Sequence, residues 1–256
     1  MNLNIQMNNT KRFSGRVEYY IKYRPGYPEE ILDFFKSNLN FNSNHIIADI
    51  GSGTGILSKL FLDDGNKVFG IEPNREMREA AESLLKNYHG FVSVNGSAEK
   101  TGLKSSSINF VTAGQSFHWF DIKKSKKEFL RILRQGGLVI LIWNSRKIDS
   151  DGFLTAHEDL LNKFAIDYKK VNHKNLDDNI FKKFFSDYEV IHFNNYQKFN
   201  FDGLKGRLLS SSYIPLPGFR NYGSMMKELK SIFEKYNSNG FITFKYDTEV
   251  YYGSLS

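Results

Sequence analysis

The segment Ile46-Ile47-Ala48-Asp49-Ile50-Gly51-Ser52-Gly53-Thr54-Gly55 constrains this chain more than any other. A short run, apolar apart from Asp49, enters a turn with three glycines, after which a helical pattern starts near Ile56. Glycine takes positive φ without steric penalty and leaves room for a ligand where a Cβ would collide. A plain strand-to-helix turn needs one such residue. Three at alternate positions predict a backbone shaped around a ligand, and a strand feeding a helix in this way opens a parallel βαβ unit.

The rest of the chain, 256 residues long, continues that rhythm. From Glu29 to Trp143 short apolar runs alternate with amphipathic stretches, which predicts strands at His45–Ile50, Lys67–Ile71, Phe91–Val94, Ile108–Ala113 and Leu138–Trp143. Between them, Met77, Ala80, Ala81, Leu84 and Leu85 mark the core face of a helix over Arg75–Lys86. Phe129, Leu130, Ile132 and Leu133 mark another, which Gly136-Gly137 is expected to stop. The strand Leu138–Trp143 is apolar throughout, as in a central strand covered on both faces. Residues Ser145–Asp187 are polar with a helical pattern and read as a lid. Tyr188–Phe193 and Phe241–Tyr252 read as two closing strands, with helices near Leu204–Ser210 and Tyr222–Tyr236.

The expectation is α/β: a Rossmann-like doubly wound sheet of about seven strands, mostly parallel with an antiparallel edge strand, plus a helical lid. Its parts would be an N-terminal cap segment (1–28), a ligand-binding α/β core (29–145), a helical lid insertion (146–187) and a stretch completing the sheet (188–256).

Composition removes several classes of function. With no cysteine there is no disulfide, no thiolate zinc site and no cysteine nucleophile. No His/Asp/Glu cluster has metal-ligand spacing, so no metal is expected. Met1–Thr10 is polar and Asn-rich, unlike a secretory signal, and the longest apolar run falls far short of the roughly 20 residues of a membrane helix. A cytoplasmic location is the default expectation. The net charge of +7 would suit a nucleic-acid partner. However, the clusters Lys123-Lys124, Lys126-Lys127 and Lys182-Lys183 are short, with apolar residues beside them at helical spacing. They read as solvated helix faces, and neither nucleic acid nor membrane is expected as a partner.

The spacing within the turn separates ligands. Dinucleotide sites use G-x-G-x-x-G, and here Ile56 stands where the third glycine would be. Asp49, two places before the first glycine, would repel a pyrophosphate and attract a cationic amino group. Glu72 ends the next strand about twenty residues on, where a carboxylate accepts from both ribose hydroxyls; alone it would read as a charge at a helix N-terminus. Ser97-Ala98-Glu99, a small-residue loop ending in an acid, suits a purine and its exocyclic amine, although by itself it is merely a turn. Together these favour a nucleoside that carries an amino acid.

This order of motifs resembles the class I S-adenosylmethionine-dependent methyltransferases. The likeness runs over roughly Asn9 to Tyr252 and takes in Phe13, Tyr23-Arg24-Pro25, Tyr27-Pro28, Gln115-Ser116-Phe117-His118-Trp119-Phe120-Asp121 and Leu133-Arg134-Gln135-Gly136-Gly137. Within the superfamily it is similar to the small-molecule branch that includes trans-aconitate methyltransferases. The resemblance implies that S-adenosylmethionine binds and S-adenosylhomocysteine leaves. Gly51 and Gly53 would meet the methionine part, Asp49 its amino group, Glu72 the ribose, Ala98 and Glu99 the adenine, and Gln115 the surroundings of the sulfonium. Tyr23 and Arg24 would reach the cofactor carboxylate, unless Arg24 is a surface ion pair. Ser52, Gly55, Pro73, Met77 and Ser97 complete the implied cofactor set.

A methyl sulfonium is already activated, so the chain's work is to align an acceptor and exclude water. A carboxylate acceptor needs no base, whereas a hydroxyl or carbon acid does. His118, after the fourth strand, is the candidate base, with a substrate-shaping role beside Trp119 as the rival reading. Arg146, Arg207 and Arg220 would recognise an anionic acceptor or else be surface charges, and Tyr213 would line the same pocket. The sequence thus predicts methyl transfer to a small-molecule acceptor by a monomer or homodimer. An NAD-type oxidoreductase, or a non-catalytic nucleoside- or nucleic-acid-binding protein, is the alternative.

Overall fold

A computed structural model describes residues 15–148, 151–168 and 176–256. The first half of the expected cap segment (1–14), Phe13 included, lies outside the described residues. The helices are α1 (Val17–Tyr23), α2 (Glu30–Asn38), α3 (Ile56–Asp63), α4 (Arg75–Leu84), α5 (Ile122–Ile132), α6 (Gly152–Phe164), α7 (Asp178–Phe184), α8 (Phe201–Leu209) and α9 (Tyr222–Tyr236). The strands are β1 (Ile46–Ile50), β2 (Lys67–Ile71), β3 (Phe91–Val94), β4 (Ile108–Gly114), β5 (Leu133–Arg146), β6 (Asp187–Phe199) and β7 (Ile242–Ser254).

The seven strands form one sheet in the order β3-β2-β1-β4-β5-β7-β6. The first five run parallel, and β7 pairs antiparallel with both β5 and β6, so the antiparallel pairings lie at one edge. The order reverses between β1 and β4, which places a crevice at their C-terminal ends, where open α/β sheets bind ligands.

Period-two alternation fills both faces. Ala48, Leu141 and Trp143 point to one side and pack with Phe129 of α5 and Phe181 and Phe184 of α7. Ile47, Ile140 and Ile142 point to the other and pack with Ile31 and Phe35 of α2 and Leu57 and Phe61 of α3. A third apolar cluster joins α6, α8 and α9 to Ile242, Phe244 and Tyr246 at the start of β7. Short polar residues start the helices. Asn74, Asp121, Asp151, Asp177 and Asn200 each accept a hydrogen bond from a backbone N–H in the first turn of α4, α5, α6, α7 and α8, respectively.

Several sequence expectations shift. The helix predicted over Arg75–Lys86 ends at Leu84, and Leu84 itself is exposed while Met77, Ala81 and Leu85 are buried. Gly136-Gly137 does not stop α5. That helix ends at Ile132, and the glycines sit inside β5, where the β4–β5 register slips between Ile108 and Phe110 and Gly136 takes φ +76°. The extra backbone of this irregularity uses the freedom the pair provides. The stretch 146–187 also divides. α6 joins the third cluster, but α7 buries Phe181 and Phe184 against the sheet face itself.

Candidate active site

Gly51 leaves β1 with φ +67°, and a Cβ there would lie 2.6 Å from that of Ser116. Gly53 has φ +56° and open space where its Cβ would be, so the turn leaves a void. Gly55 lies outside the cleft wall. At φ +84° it begins α3, and its missing Cβ makes room for Leu85, only 2.5 Å away.

Glu72 locks the turn from the end of β2. One of its oxygens accepts from the Gly53 N–H at 3.0 Å and the other from the Asn74 N–H at 2.8 Å. Burial raises its pKa against the opposing pull of those two N–H groups. Asp49 is fully buried and accepts from Ser58 Oγ at 2.7 Å and Thr112 Oγ1 at 3.4 Å. Burial outweighs these donors and pushes its pKa up to about 7.

Two cavities open from this turn. The first, of about 270 Å³, is lined by Gly53, Glu72, Pro73, Asn74, Met77, Ser97, Ala98, Glu99, Ser116 and Phe120. The second, of about 180 Å³, is lined by Arg24, Tyr27, Asp49, Ser52, His118, Asn144, Arg146, Glu158, Tyr168, Arg207 and Tyr213, among others. Tyr20, Gly51, Gly114, Gln115 and Trp119 line both, so the two are halves of one cleft. Gln115 follows β4 with φ +58°, a left-handed conformation that is costly for a residue with a side chain and that recurs at functional sites.

Three arginines enter the second half from different elements. Arg24, after α1, donates to the Ser210 carbonyl at 2.9 Å and lies 5.0 Å from the Tyr20 ring centre. It has no acidic partner among the described residues, so the surface ion pair does not occur. Arg146, at the end of β5, pairs with Glu158 at 3.2 Å and donates to Tyr168 Oη at 2.6 Å and Tyr213 Oη at 3.4 Å. Arg207, on α8, is 5% exposed and donates to Tyr246 Oη at 3.2 Å. The Nε groups of Arg24 and Arg146 are buried without a hydrogen-bond partner. Burial acts to raise the pKa of Tyr213, but Arg146, Arg24 and Arg207 overcome it and draw it down to about 8.

Against three guanidinium groups stand two carboxyls, and burial pushes the pKa of one of them, Asp49, up to about 7. This half of the cleft therefore has a surplus of positive charge and suits an anion.

Most residues singled out from the sequence meet here, with three exceptions. Tyr23 lines neither cavity; its ring packs on Gly206 and lies 6.3 Å from that of Phe199. Gly55 stands behind the wall, and Arg220 is exposed outside it. Tyr20, Glu158 and Tyr168 were missed. Tyr20 had no decisive signal, since Tyr19, Tyr20 and Tyr23 look alike in sequence and Arg24 follows the helix in extended conformation. Glu158 and Tyr168 had none, because only tertiary packing brings α6 to Arg146.

Residues 48–141 match the family described as Methyltransferase domain. An uncharacterized methyltransferase of Mycobacterium tuberculosis is 32% identical over 134 residues, covering 52% of this chain and 52% of its own. An uncharacterized methyltransferase of Schizosaccharomyces pombe is 28% identical over 137 residues, covering 53% of each. Over residues 48–141 the chain is therefore similar to a methyltransferase domain.

The chain spans about half the length of these curated relatives. Solved structures extend the likeness in fold beyond the domain match. One from Anaeromyxobacter dehalogenans, given a provisional type II methyltransferase name, has a TM-score of 0.67 and 16% identity, covering 91% of this chain and 98% of its own. The YcgJ protein of Bacillus subtilis has a TM-score of 0.57 and 18% identity, covering 90% and 100%. The matched segment holds the glycine turn, Glu72 and the β4 end, while Arg24, Arg146 and Arg207 come from segments outside it. No helix among the described residues is long and apolar enough to cross a membrane, and no group of three metal-ligating residues occurs among them.

Proposed function

We propose that this protein transfers a methyl group from S-adenosylmethionine to a small molecule that carries a carboxylate. The observation that supports this reading is the continuity of the cleft. A half walled by Glu72, Ala98 and Glu99 opens, past Gly51, Gly114 and Gln115, into a half ringed by three arginines.

The residues fit the donor. The void at Gly53 admits it without a Cβ clash, and Glu72 has carboxylate lone pairs left for ribose hydroxyls beyond the two N–H bonds it accepts. Met77, Ala98 and Phe120 provide apolar walls for a purine, and Asp49 provides a carboxyl for a cationic amino group. When bound, S-adenosylmethionine supplies an electrophilic methyl on a sulfonium.

The chain's part is alignment and exclusion of water. Arg146 and Arg207 hold the acceptor's carboxylate, and Arg24, with its buried unpartnered Nε, is available to the donor's carboxylate. A carboxylate is ionised at neutral pH and needs no base. His118, its ring centre 4.6 Å from that of Trp119, then shapes the acceptor half rather than moving a proton. Fixing both partners in line supplies several kcal/mol of the roughly 7–11 kcal/mol that proximity can offer.

The test is a transfer screen with methyl-labelled S-adenosylmethionine over a panel of small carboxylic acids. Label in a carboxylate-bearing product, reduced at least about tenfold in Arg207→Met, is the expected result. Binding of the donor with no transfer to any member would instead support a non-catalytic nucleoside-binding protein.

A further inference from the structure

The two halves of the cleft meet at Tyr20, Gly51, Gly114, Gln115 and Trp119. Two of these are glycines and one is an amide; the other two are aromatic rings. On the function proposed above, this junction is where the donor's sulfur must lie, because that atom joins the adenosyl group to the amino acid. We propose that Tyr20 and Trp119 form an aromatic gate at the junction, which holds the cationic sulfonium and favours it over the neutral thioether of the product.

The chemistry of the position favours rings. A positive charge needs compensation there, but a carboxylate beside the methyl would compete as an acceptor. An aromatic face attracts a cation and offers no nucleophilic lone pair. Two of the cleft's acids are already engaged, Glu72 by N–H groups of the turn and Asp49 by Ser58 and Thr112. Both carboxyls still act electrostatically on Tyr20.

Both rings are held from behind. Tyr20 belongs to α1, which Arg16 fastens by donating to the carbonyls of Leu209, Ser211 and Ile214. The Tyr20 ring already attracts one cation, the Arg24 guanidinium. Trp119 ends a 3₁₀ turn whose backbone N–H bonds the Ser116 carbonyl at 2.9 Å, and the His118 ring braces it.

Because the sulfur loses its charge on transfer, the gate releases its hold on the product. The weaker hold on the neutral product favours exchange of product for fresh donor.

Calorimetric titration of the full chain with S-adenosylmethionine and, separately, S-adenosylhomocysteine tests this without any acceptor. In Tyr20→Leu and Trp119→Leu, the preference for the charged donor over the product should fall roughly 3- to 30-fold, mainly through weaker donor binding. Tyr20→Phe, which keeps the ring, should retain the wild-type preference. Far-UV circular dichroism checks each variant's fold, and the two positions are independent, so failure of one variant to fold leaves the other. Equal weakening of both ligands in the leucine variants, or loss of preference in Tyr20→Phe, overturns the gate. If the wild type binds neither ligand, the proposed function itself falls, and the gate with it.

Discussion

At Asp49 the fold and the site make opposite demands. The carboxyl is fully buried beneath the glycine turn, and burial holds its pKa near 7, above its ordinary value of 3.8. Between those two values the folded chain keeps a proton that the unfolded chain releases, so this group's contribution to stability falls as pH rises. Asp49→Asn removes that dependence. Its urea-unfolding free energy should exceed the wild type's by a few kcal/mol at pH 8 and by much less at pH 5, at the expense of donor binding. Glu72 and Gly53 give a sharper outcome. In calorimetric titrations Glu72→Ala, which removes a carboxylate acceptor, and Gly53→Val, which puts a β-branched side chain at φ +56° and into the void, should each weaken S-adenosylmethionine at least about 100-fold. Far-UV circular dichroism of both should stay that of the wild type. Gly51, Gly53 and both acids could be placed around the turn from the sequence because their positions follow from backbone geometry and spacing. Tyr20 could not. Tyr19, Tyr20 and Tyr23 look alike in sequence, and only the docking of α1 on α8, with Tyr23 over Gly206, decides which ring faces the cleft.

The elements divide by what specifies them. β1 to β4 could be read closely from the chain because a parallel strand is apolar on both faces and bounded by turns. β5 and β6 are longer than their apolar segments, since pairing with β7 extends them through polar residues such as Asn194 and Asn195. α7 was read as lid because its pattern is short and polar, yet Phe181 and Phe184 bury against Phe117 and Trp143. Phe184→Ala should therefore cost about 3–5 kcal/mol in urea unfolding, where a true lid residue would cost far less. α1 depends on one side chain. Arg16→Ala leaves the carbonyls of Leu209, Ser211 and Ile214 without their buried donor, at about 1–3 kcal/mol each. Hydrogen exchange of residues 17–23 should then accelerate strongly while β1 and β4 stay protected.

Across the whole molecule, the sheet order brings the turn after β1, the acid after β2, the loop after β3 and the strained Gln115 after β4 to one edge, and the arginines of later elements close over it. That convergence follows from right-handed βαβ crossovers and could be anticipated from the sequence; Arg24, Arg146 and Arg207 were candidates there too, but that they meet in one half of the cleft depends on how α1, β5 and α8 pack. A crystal structure of this chain grown with S-adenosylhomocysteine tests the account most directly. The expected result has the ribose on Glu72, the adenine between Met77 and Ala98, and the sulfur between Tyr20 and Trp119. A ligand bound elsewhere, or bound in this cleft with Glu72 turned away from it, would contradict the account.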